Sequence, residues 1–331
     1  MLNRRDFVTG LGTLALTAGC RSRTEHGVVV LRLSHSMTAG RTALHVLADA
    51  FREYVEQATS GAVKIRIFPS GTLGQEREVV QQLQEGLVDF MVSGTAIWGS
   101  VAPKIQVFDF PFLWRDWDHV HRAIDGGLGR EAAGYLERSV RMRPFAWGDS
   151  FGFRHVITRS RDVSDPSQLA GLKIRTIQSP IYVKAIELMG ASPTPMAFGE
   201  VYTSLQTGVI DGFEHAPAVV LTGKYYEVAK YVTLTGHLFG PTVTAMSKKE
   251  WDSYTDKEKA VVQAAAKLAQ DVNRSLSAQR DRESLDRLRE KGMTINPIDK
   301  APFLKAAGPL QDQLAKTLGA EDLLKIIRET K

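Results

Sequence analysis

Between Thr255 and Lys291 the chain carries neither glycine nor proline. Thr255-Asp256-Lys257-Glu258 reads as a capping box at the start of this stretch, and Gly292 supplies the stop. Continuous helix over that span would be about 50 Å long, more than one small domain can cover. Such a helix could bridge two lobes. The other arrangement is two shorter helices with a break near Asn273 to Ser277. At 331 residues the chain already exceeds what one compact core usually serves.

The rest of the chain alternates strand and helix patterns. Val28 to Leu33 is apolar and β-branched, as a buried strand should be. Leu44, Leu47, Ala48, Phe51 and Val55 follow at helical spacing, and Gly61 ends that run. Val63 to Phe68 alternates apolar and basic residues. A helix over 76–84 and a strand over 88–92 complete the first unit. A second unit of the same style runs from Phe153 to Phe213, with strands over 153–158, 172–176 and 210–213 and helices over 181–189 and 199–207. This order predicts open α/β sheets with parallel pairing.

Composition is ordinary for a globular protein, 43% hydrophobic and 24% charged, with a formal net charge of +5. Lysines and arginines are scattered among acids, with no basic stripe interleaved with aromatics, so nucleic acid is not an expected partner. No Gly-x-Ser-x-Gly elbow, His-Glu-x-x-His pair or phosphate loop is present, so no catalytic residues, cofactor or metal ligands are expected.

The first 20 residues look like an address. Arg4 and Arg5 precede a short apolar run that is too short for a permanent membrane span. Asn-Arg-Arg-Asp-Phe-Val resembles a twin-arginine signal; an ordinary secretory leader is the other reading. Cys20, the only cysteine, follows Leu16-Thr17-Ala18-Gly19, an imperfect lipoprotein box. Cys20 is therefore either a lipid attachment point or lost with the leader. The mature chain is expected outside the cytoplasm, in the periplasm, without a disulfide.

Several ordered motifs carry a resemblance. The strongest is Ala191 to Gly212, ASPTPMAFGEVYTSLQTGVIDG. Others are Pro69-Ser70-Gly71-Thr72-Leu73-Gly74, Gln82 to Gly86 with Asp89, Gly152-Phe153-Arg154, Gly171 to Arg175, and Lys224 to Val228. With these, the chain resembles the solute-binding proteins of tripartite ATP-independent periplasmic (TRAP) transporters over about residues 30 to 300.

The resemblance implies an α/β, two-lobed periplasmic binding protein fold with a central ligand cleft, crossing strands and a long helix spanning both lobes. It implies lobe I from 21–151 plus about 240–278, and lobe II from 152–239 plus about 279–331. It implies capture of a small organic acid without catalysis, and delivery to membrane permease subunits driven by an ion gradient. Membrane contact would come only through the permease or a lipid on Cys20.

Within the resemblance, Arg175 is the expected carboxylate anchor, since its planar fork matches a carboxylate. Arg154 is expected either near the ligand or in a salt bridge that stabilises a lobe. Phe198 is expected to pack on the ligand body. His215 stands where many relatives carry Asn, and Gly94 where some acid-sugar binders carry Glu. A histidine there predicts binding that varies between pH 5 and 8. Further lining is expected from His35, Met37, Thr38, Gln75, Thr95, Trp98 and Phe151. A hydroxylated sugar acid fits this set; a dicarboxylate, keto acid or aromatic acid is the alternative, as is a role in ligand sensing.

Overall fold

The computed structural model describes residues 24–25, 27–149 and 151–331. The leader read from Arg4, Arg5 and Cys20 lies outside them. No helix among the described residues is long and apolar enough to cross a membrane.

Twelve strands in the described residues build two six-stranded sheets. They are β1 (Thr24–Glu25), β2 (Val28–Ser34), β3 (Val63–Phe68), β4 (Phe90–Gly94), β5 (Met142–Gly148), β6 (Phe153–Thr158), β7 (Lys173–Thr176), β8 (Ser192–Pro195), β9 (Gly212–His215), β10 (Tyr231–Phe239), β11 (Thr242–Ser247) and β12 (Thr294–Asn296). In the first sheet β2 pairs in parallel with β3 and β4, and β11 runs antiparallel between β4 and β5. The second follows the order β12-β10-β6-β9-β7-β8. Helices such as Ala43–Ala58 and Pro180–Leu188 pack their buried apolar faces beside these sheets. The fold is α/β with two sheets, as the alternating pattern requires.

β8 escaped the sequence reading. It reads Ser-Pro-Thr-Pro, and two prolines argue against an interior strand. It sits at the outer edge and pairs only with β7, where missing N–H groups cost nothing.

The chain passes between the sheets twice by strands, from β5 to β6 and from β10 to β11. Two glycines make the first crossing possible. A Cβ on Gly148 would come within 2.7 Å of Thr242 Oγ1 and 2.9 Å of Asn273 Oδ1. Gly152 has φ +44°, and a Cβ there would meet Asp281 at 2.5 Å and Trp117 at 2.8 Å.

The third connection is one unbroken helix, Asp256–Glu290, capped by Thr255 and Glu258. The alternative of a break at Asn273 to Ser277 fails for a local reason. Asn273 does not compete with its own backbone. Instead, its Oδ1 accepts from Asp149 N at 2.8 Å and its amide donates to Ala43 O at 3.3 Å. Small residues on the same face, Ala265, Ala266 and Ala269, are fully buried. The helix packs on helix Ala43–Ala58 and β5 in the first half, then on helix Pro217–Thr222 and β12 in the second.

The end of the chain departs from the expected lobe boundaries. Phe303 packs in the second half with Leu169 and Ile174. Ala315, Leu323, Leu324 and Ile327, however, are buried with Val120, Ile124 and Leu128 of the first. The last helix, Glu321–Glu329, thus packs largely with first-half residues, in a cluster that also holds Ile181 and Phe239.

Candidate functional site

A cleft lies where the two sheets face each other, with about 640 Å³ of space between atoms including its mouth. Its floor comes from the second sheet. Arg175 sits on β7, flanked by β8 and β9, and is 2% exposed. Its Nε and Nη2 donate to the Met196 carbonyl at 3.1 and 2.7 Å. Its Nη1 is buried with no hydrogen-bond partner among the described residues. The guanidinium lies 5.9 Å from the centre of the Phe198 ring. Burial lowers its pKa to about 10 despite the nearby Glu214 carboxylate.

Arg154 on β6 is fully buried. Its Nε and Nη2 grip the Glu214 carboxylate, and Nη2 also donates to the Glu214 carbonyl at 3.0 Å. Burial works against its charge, but Glu214 more than offsets this and holds its pKa above the ordinary value. Here too Nη1 is buried and unpartnered. Arg154 forms a salt bridge within the second sheet and also lines the cleft.

His215 on β9 lies 5.4 Å from Phe151 and 5.6 Å from Phe198, ring centre to ring centre. Its Nδ1 accepts from Ala216 N at 2.9 Å. The neutral ring therefore carries its proton on Nε2. Burial first, then Arg154 and Arg175, push its pKa well below 6.5. Burial and the two guanidiniums favour the neutral ring, which argues against a His215 titration between pH 5 and 8. Replacing His215 with Asn should leave the shape of the affinity-versus-pH profile unchanged from pH 5 to 8. Calorimetric titrations at several pH values check this. A slope present only in the wild type would restore the histidine as a sensor.

The opposite wall comes from the first sheet and the helix Glu76–Gln84. Gln75, Met37 and Phe151 line the cleft with Gly94. A Cβ on Gly94 would meet the Phe151 ring at 3.0 and 3.2 Å. The absent side chain is what lets Phe151 lean into the space that a Glu would occupy.

Four expected lining residues lie elsewhere. Thr95 Oγ1 donates to Asp109 Oδ1 at 2.8 Å, and Trp98 Nε1 donates to Ser93 O at 3.1 Å; both residues are fully buried beneath the wall. The short helix Thr95–Trp98 turns these two side chains into the core and leaves Ala96 and Ile97 on the cleft. His35 Nε2 meets His45 Nδ1 at 3.0 Å, and burial lowers its pKa to about 4. Thr38 is exposed, its carbonyl accepting from Thr42.

Two lining groups went unread in the sequence. Glu76 places its carboxylate on the cleft wall, accepting from Ser93 Oγ at 2.6 Å and Ser36 Oγ at 3.1 Å. Burial raises its pKa. Tyr182, 5.2 Å beneath the Arg154 guanidinium, also reaches Asp109 at 3.4 Å. Burial pushes the Asp109 carboxyl up to about 7. Glu76 directly follows Gln75 and sits among helix-start acids, which disguised it as a surface charge. Arg77 next to it spans the cleft to the Gln178 carbonyl. The arrangement is cationic on one wall and carboxylate-bearing on the other, with aromatic and apolar surfaces between.

Comparison with known proteins agrees with this geometry. Residues 33–317 match the model of bacterial extracellular solute-binding protein, family 7. The 2,3-diketo-L-gulonate-binding periplasmic protein of Escherichia coli K12 is 32% identical over 296 residues, covering 88% of this chain and 89% of that protein. A TRAP periplasmic solute-binding protein from Polaromonas sp. JS666, bound to D-erythronate, superposes with TM-score 0.86 at 32% identity, covering 92% of this chain and 99% of the other. One from Citrobacter koseri with bound D-glucuronate gives TM-score 0.85 at 33% identity, covering 91% and 99%. The chain belongs to family 7 of the bacterial extracellular solute-binding proteins, the family of the TRAP periplasmic binding proteins.

Proposed function

We propose that this protein captures a sugar acid, a uronate or aldonate with a single carboxylate, and hands it to the membrane permease of a TRAP transporter. One observation carries the reading. Arg154 and Arg175 line the same cleft, and each keeps a buried Nη1 without a hydrogen-bond partner among the described residues. A carboxylate lying between them would satisfy both donors and offset the Arg175 charge, which has no direct ion pair as Arg154 has with Glu214. Glu76 on the far wall accepts hydrogen bonds, which suits ligand hydroxyls and repels a second carboxylate. This favours a polyhydroxy monocarboxylate over a dicarboxylate. The D-erythronate and D-glucuronate of the two superposed structures are molecules of that kind.

In this reading Arg175 is the anchor and Arg154 the second donor. Phe198, Phe151 and His215 pack on the ligand body, and Gln75 and Glu76 contact its hydroxyls. Because the arginines stand on the second sheet and Glu76 on a helix packed against the first, the ligand ties the two lobes together and stabilises the closed form that the permease would recognise. The lobes would turn about the two strand crossings and the helix Asp256–Glu290. The ligand leaves unchanged, without turnover. The first 20 residues would direct export, by the twin-arginine or the general route, with or without a lipid on Cys20.

Calorimetric titration with D-glucuronate, D-galacturonate, D-erythronate, succinate and benzoate tests the proposal. A sugar acid should bind at least 100-fold more tightly than succinate or benzoate and be recovered intact. Preference for succinate or benzoate, or chemical conversion of the bound acid, would overturn it.

A further inference from the structure

A second cavity opens on the other side of Met37, which lines both spaces. Its walls are the start of helix Ala43–Ala58, the helix Pro217–Thr222, and the stretch 280–287 of the long helix. It therefore draws on both halves of the fold and on the element joining them.

The charge of this cavity is unbalanced. Arg41, Arg280 and Arg287 line it against one acid, Glu283. Glu283 already accepts from Gln279 Nε2 at 2.6 Å on its own helix. Among the described residues, none of the three guanidiniums has a hydrogen bond or an ion pair. Arg280 Nη1 is buried with no partner. Burial, and then the neighbouring charge of Arg41, lower the Arg280 pKa. Glu283 opposes this shift, but the Arg280 pKa still lies below its ordinary value, so three cations share one acid and a bound anion would relieve their repulsion.

The backbone adds to the same field. Thr42 is the N-cap of helix Ala43–Ala58, but its hydroxyl donates backwards to Thr38 O at 2.6 Å. No side chain caps the free N–H groups of the first turn, and no acid stands in it. Thr42, Ala43 and Leu44 border the cavity, so the positive end of a 16-residue helix meets the arginines there.

We propose that this cavity is a second anion site, separate from the sugar-acid cleft, and that it takes a small multivalent oxyanion of the phosphate class. Arg41 and Arg280 hold the anion from two sides, Arg287 adds charge, and the first turn of helix Ala43–Ala58 donates N–H groups. None of these arginines borders the sugar-acid cleft. A monovalent carboxylate would leave the excess charge only partly balanced, which is why a dianion is the better fit.

The test is calorimetric titration of inorganic phosphate, at constant ionic strength set with chloride, into the Arg175→Ala protein. That background removes the sugar-acid anchor, so phosphate captured in the main cleft is not counted. Saturable binding of one phosphate is expected. Adding Arg280→Gln or Arg41→Gln should weaken it at least tenfold. In phosphate-free buffer, Arg280→Gln alone should leave D-glucuronate affinity within twofold of wild type, and its circular dichroism melt should show the native fold. Arg287→Gln, a milder change, should weaken phosphate binding in the same direction. Absence of saturable phosphate binding in the Arg175→Ala protein would overturn the proposal. So would undiminished binding after either the Arg280 or the Arg41 change. Failure of glucuronate to bind at all would sink the sugar-acid reading and leave the phosphate titration standing.

Discussion

Replacing Arg175 with Ala should weaken D-glucuronate binding by about 2–5 kcal/mol, the usual loss for one partner of a buried charged pair. That is roughly 30- to 5000-fold in Kd. The size follows from where the side chain sits. Arg175 is 2% exposed, so a carboxylate meeting it is shed of water and depends wholly on protein donors. Two of its nitrogens already hold the Met196 carbonyl, which fixes the plane of the guanidinium and leaves Nη1 to the ligand. The substitution also strips a buried carbonyl of its donors, so a modest loss of stability should accompany the loss of binding. Arg175→Lys should recover only part of the affinity, since a point charge cannot hold Met196 and a carboxylate in one plane. Isothermal titration calorimetry reads both variants. An unchanged Kd in Arg175→Ala would remove this residue as the anchor, and with it the proposed orientation of the ligand.

Glu214→Gln should destabilise the folded protein by about 3–5 kcal/mol, because it leaves a buried guanidinium without its counter-charge. Arg154 and Glu214 are both wholly buried, and the carboxylate takes two of the arginine nitrogens. His237 approaches the same carboxylate at 3.8 Å, and burial holds its pKa well below 6.5, so it supplies no replacement charge. The amide keeps the shape of the carboxylate but not its charge. Urea unfolding followed by circular dichroism should show a lower midpoint with an unchanged slope. Replacing both partners, Arg154→Met with Glu214→Leu, should cost less stability than Glu214→Gln while still weakening sugar-acid binding. A midpoint for Glu214→Gln equal to wild type would mean that water or another group compensates Arg154.

The two results separate anchoring from architecture. Arg175 faces the cleft with its fork held by backbone, whereas Arg154 faces it with its fork held by a carboxylate. The same residue type therefore serves affinity in one case and both stability and affinity in the other.

Much of this was legible from residue order. The periods of Val63 to Phe68 and of Leu44 to Val55 fixed a strand and a helix, because each exposes one apolar face that must be covered. The capping box at Thr255 and the stop at Gly292 fixed the long helix to within a residue or two. Strands β4 and β9 began two residues later than their apolar runs suggested, since Val88 and Ile210 are buried outside the ladders. Arg175, Arg154, His215, Phe198, Gln75 and Phe151 do border the cleft. Thr95, Trp98, His35 and Thr38 do not, because a four-residue helix and a histidine pair turn those side chains away, and neither is encoded in spacing.

Residue order alone determined the α/β alternation, the two ends of the long helix and the arginine at the end of β7, since periodicity, caps and motif are local properties; its continuity through Asn273 goes with contacts to Asp149 and Ala43. Tertiary structure decided which polar groups lost their water and which charges they then faced. That is why the His215 pKa lies well below 6.5, why Glu76 counts as part of the cleft, and why Arg41, Arg280 and Arg287 share one cavity with a single acid, Glu283. Desolvation and Coulomb energy depend on distances between segments far apart in the chain, and no single stretch of sequence contains them.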